Sequence, residues 1–270
     1  MPAHDARIYL DQDMQQPELL ELAGGSAAVY SARSPYKQTP NEDAAAVLPV
    51  DDARTVLVVA DGLGGMTAGE RASSLAVTEL QRSIAAMEGG DQMLRTAILN
   101  GIESANRTIG EMGLGAATTA AVVEIDHGVV RPYHVGDSMI LVVGQRGKVK
   151  LQTVSHSPVS YAFEAGLLDE QEAMHHEDRH LVSNVIGSPD MRIEIGAPLE
   201  LAPRDTLVLA SDGLLDNLYN DEIIQWVRKG RIERLVAQVA GECRRRMTEP
   251  QEGVPCKPDD LTLVVYRRGG

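Results

Sequence analysis

Two distant segments share one form. Val56–Ala60 (VLVVA) runs into Asp61-Gly62, and Leu207–Ala210 (LVLA) runs through Ser211 into Asp212-Gly213. Both runs are aliphatic, rich in β-branched residues and too short for a helix. Each therefore reads as a buried strand that delivers an Asp at its end and then turns at Gly. Three more acidic groups stand beside strand patterns. Asn41-Glu42-Asp43 leads into one, Val135-Gly136-Asp137-Ser138 joins two, and Asp259-Asp260 precedes Leu261–Tyr266. A single Asp-Gly is ordinary turn chemistry, but five acidic strand ends in one chain are harder to dismiss. Gathered at one edge of the sheets they would repel, and such a cluster either raises its pKa values or binds cations. Oxygen-only donors select hard cations, Mg²⁺ or Mn²⁺ rather than Zn²⁺. A carboxylate shared by two such ions would hold them ~3.5–4 Å apart. Gly62 suits that arrangement, because a bare backbone admits close approach to its carbonyl.

The other elements come in blocks. Strands are predicted over Ala27–Arg33, Asp43–Val50 and Thr55–Ala60, then helices over Ala68–Met87 and Gln92–Met112. A second strand block covers Thr118–Ile125, Val129–Val135, Met139–Val143 and Val149–Val154. Residues 157–190 are rich in His, Asp and Glu, with a short helical signal at Asp169–Met174, and read as a flap. Strands resume at Met191–Ile195 and Thr206–Ala210, helices at Asn220–Arg228 and Ile232–Met247, and Leu261–Tyr266 is a final strand. Blocks of this kind predict an α+β fold with largely antiparallel sheet and helix pairs on its faces, not a doubly wound one. Residues 1–25 read as an extension or a small appended helix, and residues 26–270 as a single domain.

Composition narrows the partners. Among 270 residues, 39 acids face 25 bases, a net charge of −14. Nucleic-acid binding needs clustered Lys and Arg in excess, so it is excluded as an expectation, as is a polybasic membrane surface. Aromatics make up 3 % of the chain, with Trp226 and Phe163 the single Trp and Phe, so the core must be aliphatic. Cys243 and Cys256 form no disulfide framework or metal motif and read as reduced thiols. The N-terminus has no apolar signal core, and no apolar run reaches the roughly 18–20 residues of a membrane span. A cytoplasmic monomer is the expectation.

The ordered set Asn41-Glu42-Asp43, Ala60-Asp61-Gly62-Leu63-Gly64-Gly65, Thr118-Thr119, Gly136-Asp137-Ser138, Ser211-Asp212-Gly213-Leu214-Leu215-Asp216 and Asp259-Asp260-Leu261-Thr262 resembles the metal-dependent protein phosphatase 2C family, most closely its bacterial branch. The match runs in order over nearly the whole chain. The flap stretch His176–Gly187 follows the family's pattern loosely. The resemblance implies a four-layer α-β-β-α sandwich of two antiparallel sheets flanked by helix pairs. It also implies a binuclear Mn²⁺ or Mg²⁺ centre at one end, whose activated water hydrolyses phosphoserine and phosphothreonine in proteins. By the same resemblance Asp61 bridges both ions, the Gly62 carbonyl binds one, and Asp212 and Asp259 hold the other. Glu42 and Asp43 act mainly through water. Asp137, with Asp212, holds a third and weaker ion. The implied partner is a phosphorylated substrate of a serine/threonine kinase.

Two positions depart from the pattern. Bacterial relatives usually carry an Arg four residues before the motif Glu, where it binds the substrate phosphate; here Gln38 stands there. Lys37 and Arg33 are the candidate replacements, although a lysine is a point charge without the bidentate fork of arginine. Asp260 replaces the usual Asn. Gln38 sustains a second reading, a catalytically weak relative that binds a phosphoprotein or a kinase. A third, a metal-bound structural domain, is disfavoured by the number of converging acids. His176 and His180, at i and i+4, would suit zinc only on a helix. Arg244-Arg245-Arg246 reads as a solvated helix end.

Overall fold

A computed structural model describes residues 6–22, 24–63, 67–87, 91–113 and 115–269. Gly64 and Gly65 of the second motif lie outside the described residues.

The strands β1 (Arg7–Leu10), β2 (Glu18–Leu22), β3 (Gly25–Ala32), β4 (Asp43–Pro49) and β5 (Arg54–Leu63) precede two long helices, α1 (Thr67–Ala85) and α2 (Asp91–Glu111). Next come β6 (Ala117–Thr118), β7 (Ala120–Asp126), β8 (Val129–Val135), β9 (Met139–Val143) and β10 (Val149–Gln152). The flap carries α3 (Pro158–Glu164) and α4 (Glu170–Met174). It leads to β11 (Glu194–Ile195), β12 (Leu199–Glu200) and β13 (Thr206–Ala210). The chain closes with α5 (Asp212–Leu215), α6 (Asn220–Val227), α7 (Ile232–Thr248) and β14 (Leu261–Arg268). One sheet has the order β1-β4-β5-β7-β8-β11, with β12 also paired to β8 and β6 to β5; the other runs β10-β9-β13-β14-β3-β2. The pairings are antiparallel.

Side-chain alternation explains the four layers. In β4, Ala44, Ala46 and Leu48 pack under Ala76, Leu80, Ile98 and Ile102 of α1 and α2. Ala45 and Val47 point the other way, against Val264 and Leu209 of the second sheet. The outer face of that sheet buries Tyr30, Val208 and Leu263 under Val236, Val239 and Cys243 of α7. A strand covered on both faces reads as a continuous apolar run, not an alternating one. The alanines of β3 and β4 let the layers approach closely without aromatic filling. The expected α+β sandwich of two antiparallel sheets with helices outside is what the chain forms.

Three local expectations are corrected. The expected extension contributes β1, paired to β4, and β2, paired to β3, so residues 7–10 and 18–22 are edge strands and not a helix. Their apolar residues, Tyr9 and Leu20 among them, cover the ends of the inter-sheet core. Asp61-Gly62 does not turn: β5 continues through Leu63, where Gly62 pairs with Thr118. Asp212 begins a short helix and not a turn. In the flap, α3 begins with Ser157 as N-cap and Pro158 in its first turn, a Ser-Pro signal present in the sequence. Asp169 and Glu172 close a capping box at α4.

Candidate metal centre

Strand register brings the acids to one end of the sandwich. Asp43, at the start of β4, lies directly opposite Asp61 in β5. Opposed residues share a face, and both alternate in phase with Val47 and Val59, so both point between the sheets. The β8–β9 turn carrying Asp137 is at the same end, since Ala120 pairs with Val135 and Ala210 with Met139. Asp212 follows β13, and Asp259 and Asp260 precede β14, next to it. Asp216 joins them from the sequence stretch after Asp212: one helical turn separates the two, and oxygens of Asp212, Asp216 and Asp259 lie within 4.8 Å of one another. That i, i+4 spacing was legible beforehand.

The electrostatics are those of crowded carboxylates. Burial pushes Asp61 well above the ordinary carboxylate range, and the charges of Asp212, Asp43 and Asp137 push it further. Asp43 is pushed up to about 8, first by burial and then by Asp260, although Ser211 Oγ donates to its Oδ2 at 2.7 Å. Burial and then Asp259 and Asp216 raise Asp212. Burial raises Asp137 to about 6, with Asp216 adding to it. Two oxygens, Glu42 Oε1 and Asp137 Oδ1, are buried with no hydrogen-bond partner among the described residues. Buried acceptors without donors are costly, and a cation is the partner that satisfies several of them at once. The donor set therefore fits hard divalent ions.

Gly62 has a packing reason to be glycine. A Cβ there would stand 2.1 Å from the Gly69 carbonyl oxygen at the start of α1, and one on Gly69 would stand 2.5 Å from Glu42 Oε1. The two glycines let α1, β5 and Glu42 meet. The Gly62 N–H donates to the Glu42 carbonyl at 3.1 Å.

The three candidates for phosphate binding are turned to other partners. Arg33 pairs with Asp13 at 3.2 Å. Lys37 Nζ lies 2.8 Å from Glu42 Oε2 and 2.5 Å from Asp260 Oδ2. Gln38 is exposed, and its amide donates to the Tyr36 carbonyl at 3.3 Å. Asp260 is buried and accepts from the Ser34 and Glu42 backbone N–H groups, both at 2.7 Å. It thus organises the loop that carries the motif.

Sequence reasoning missed Lys257. Its Nζ lies 2.5 Å from Asp216 Oδ2, 2.9 Å from Asp259 Oδ2 and 3.4 Å from Asp212 Oδ2. The only prior signal was its position two residues before Asp259, which puts both side chains on one side of an extended segment. Arg246 is also placed differently from expectation. It is buried, paired with Glu222 at 2.6 Å and Glu242 at 2.9 Å, and donates to the Asn217 carbonyl at 2.9 Å. His176 and His180 lie after the end of α4, off any helix.

His156 braces the Asp137 turn. Its Nδ1 accepts from the Gly136 N–H at 3.0 Å and from Asn184 Nδ2 at 2.9 Å, which leaves the proton on Nε2, facing Glu194 at 3.0 Å. His134 packs against His156 with ring centroids 4.6 Å apart, and its Nε2 bonds the Ser138 carbonyl at 2.8 Å, so both histidines hold the turn around Asp137. Gly136 has φ +102, and a Cβ on it would meet Thr119 Cγ2 at 2.6 Å, so the turn requires glycine. Beside Asp137 and Asp212 opens a groove of about 300 Å³ between flap and sandwich, with Phe163, Met174 and Arg179 on its flap side.

The fold and the acidic centre together define a metal-binding hydrolase of the phosphatase type. Residues 32–248 match the protein phosphatase 2C family, and the chain belongs to that family. It is 33 % identical over 181 residues to a protein named putative protein phosphatase 2C-type from Streptococcus pyogenes, covering 63 % of this chain and 71 % of that one. It is 31 % identical over 195 residues to protein phosphatase PhpP of Streptococcus pneumoniae, covering 69 % and 78 %. Among solved structures, the S. agalactiae serine/threonine phosphatase superimposes with a TM-score of 0.78 at 27 % identity, covering 90 % of this chain and 98 % of that one. The chain is a protein phosphatase.

Proposed function

We propose that the protein hydrolyses phosphoserine and phosphothreonine in proteins at a centre of two Mn²⁺ or Mg²⁺ ions. Asp61, the Gly62 carbonyl, Asp212 and Asp259 would hold the two ions, and Asp137 stands beside Asp212, where the family resemblance implies a third and weaker one. Glu42 and Asp43 would act through water. Bound there, the cations supply the charge that makes water nucleophilic at neutral pH and neutralises the phosphoryl oxygens. Asp43, held by Ser211, and Glu42, held by Lys37, fix the rim around that charge. The groove under Phe163 and Arg179 gives the phosphorylated segment a path to it.

The observation that carries this reading is the convergence of acids from five separate segments, two of them with buried oxygens that have no donor among the described residues. Phosphate release from p-nitrophenyl phosphate and from a phosphothreonine peptide tests it. Activity is expected to vanish on chelation with EDTA and return with Mn²⁺. Activity that survives thorough chelation overturns it.

A second reading is favoured by a specific observation. Gln38 is exposed, and Arg33 and Lys37 are engaged by acids, which leaves the phosphate without the usual arginine. On that reading turnover is low and the protein binds a phosphoprotein or kinase. It predicts micromolar binding of the phosphopeptide with little release. We place the protein in the cytoplasm as a monomer acting against a serine/threonine kinase. Among the described residues no helix is long and apolar enough to cross a membrane.

A further inference from the structure

We infer that Lys257 is a tethered cation that holds the outer part of the acidic centre and limits the number of divalent ions it takes up. This rests on the reading of the centre as a divalent-cation site.

The lysine is built in, not a surface side chain that happens to reach the acids. Its N–H donates to Asn217 Oδ1 at 3.0 Å, and its carbonyl accepts from Asn217 Nδ2 at 2.9 Å. Asn217 is fully buried, and its own carbonyl accepts from buried Arg246. Pro258 follows and fixes the next φ. The stem therefore starts from a rigid point, and the ammonium ends among three carboxylate oxygens, one for each of its donors.

The centre is unequal as a result. Asp43, Asp61 and Asp137 form no ion pair with Lys or Arg among the described residues, whereas Asp212, Asp216 and Asp259 already share a positive charge. A divalent ion entering between Asp61 and Asp212 meets Asp61 with no basic partner among the described residues and Asp212 only loosely held, its Oδ2 3.4 Å from the ammonium. One entering beside Asp216 must first displace an ammonium held at 2.5 Å. Asp212, the acid implied for a third ion, belongs to the lysine's set. Lys257 therefore keeps the centre at two ions and does for the outer acids what a third ion would do.

Counting Mn²⁺ on the full metal-free chain, by calorimetry and by the spin resonance of free Mn²⁺, tests this without reference to turnover. Wild type is expected to take up two ions. Lys257→Gln is expected to take up a third, or to bind its weakest ion at least about tenfold more tightly, since a positive charge some 4 Å away has been removed. Lys257→Arg keeps the charge and is expected to match wild type. In EDTA, Lys257→Gln is expected to melt below wild type and to gain more from Mn²⁺. If Lys257→Gln folds only with Mn²⁺, it is refolded with the ion and the bound ions are counted. Equal stoichiometry and equal affinity in wild type and Lys257→Gln overturn the inference and leave the metal-centre reading intact. A wild type and a variant that both bind no Mn²⁺ overturn both.

Discussion

Lys37 Nζ sits 2.5 Å from Asp260 Oδ2, with both side chains largely buried. Asp260 stands where an asparagine is usual by the family resemblance, and the lysine is its matching charge. Three donors converge on the Asp260 carboxylate, the ammonium of Lys37 and the backbone N–H groups of Ser34 and Glu42, and its own N–H donates to Asp259 Oδ1 at 2.9 Å. The pair ties the motif loop before β4 to the loop before β14. Removing one partner from a buried pair is strongly destabilising because the other charge is left alone. Lys37→Met is expected to lower stability by about 3 kcal/mol in urea unfolding with EDTA present. Adding Asp260→Asn is expected to recover part of that loss. Purely additive effects in the double variant would show that the pair is not coupled.

The crowded carboxylates make the metal-free protein sensitive to alkali. Asp43 has a folded pKa of about 8 against an ordinary 3.8. Between those values the folded state holds a proton that the unfolded state has lost, so stability falls as pH rises. His134, lowered to about 4 by burial and then by His156, is neutral in both states above its ordinary 6.5 and is silent in the upper part of that window. The melting temperature in EDTA is therefore expected to drop from pH 6.5 to pH 8. Asp43→Asn is expected to flatten that drop, and a scanning fluorimetry series at fixed ionic strength reads it. A melting temperature that rises over this window would contradict the assignment.

Asp61 lies at the meeting point of the acids, as the charges that perturb it indicate. If it bridges the ions, Asp61→Asn loses a shared negative donor while keeping nearly the same volume. The variant is expected to lose at least ~100-fold in kcat at saturating Mn²⁺. Its far-ultraviolet dichroism is expected to be unchanged. Near-normal kcat would remove Asp61 from the bridging role.

Gln38 offers a gain-of-function test. It is exposed beside Lys37, and its side chain has a single hydrogen bond, to the Tyr36 carbonyl, among the described residues. A larger, charged side chain there has room and disturbs no core. Gln38→Arg is expected to lower KM for a phosphothreonine peptide several-fold, because a guanidinium can grip the phosphate with two donors. An unchanged KM together with brisk wild-type turnover would mean that another group already binds the phosphate.

Much of the sandwich was written locally. Val56–Ala60 and Leu207–Ala210 are continuous apolar runs because both faces of β5 and β13 are covered, and burial of that kind leaves its mark residue by residue. The helical spacing of Ala72, Ala76 and Leu80 likewise fixed α1 to within a few residues. The edge strands β1 and β2 were not legible. They are short, half-exposed, and gain stability only from neighbours 38 and 7 residues away in the register Ile8↔Ala46 and Leu20↔Ala27, so their conformation is tertiary in origin.

The same division runs through the centre. The sequence by itself determined that acids stand at strand ends, that their oxygens suit hard cations, and which family pattern they follow. It did so because each acid sits beside a strand whose period and burial are local properties. Only the tertiary structure decided which acids are neighbours, because pairing and sheet packing set distances between residues remote in the chain. It put Asp43 opposite Asp61, set Lys257 among Asp212, Asp216 and Asp259, and turned Lys37 from the phosphate to Asp260. Charge interactions fall off over a few ångströms near a protein surface, so the chemistry of these groups follows from that placement and not from their order.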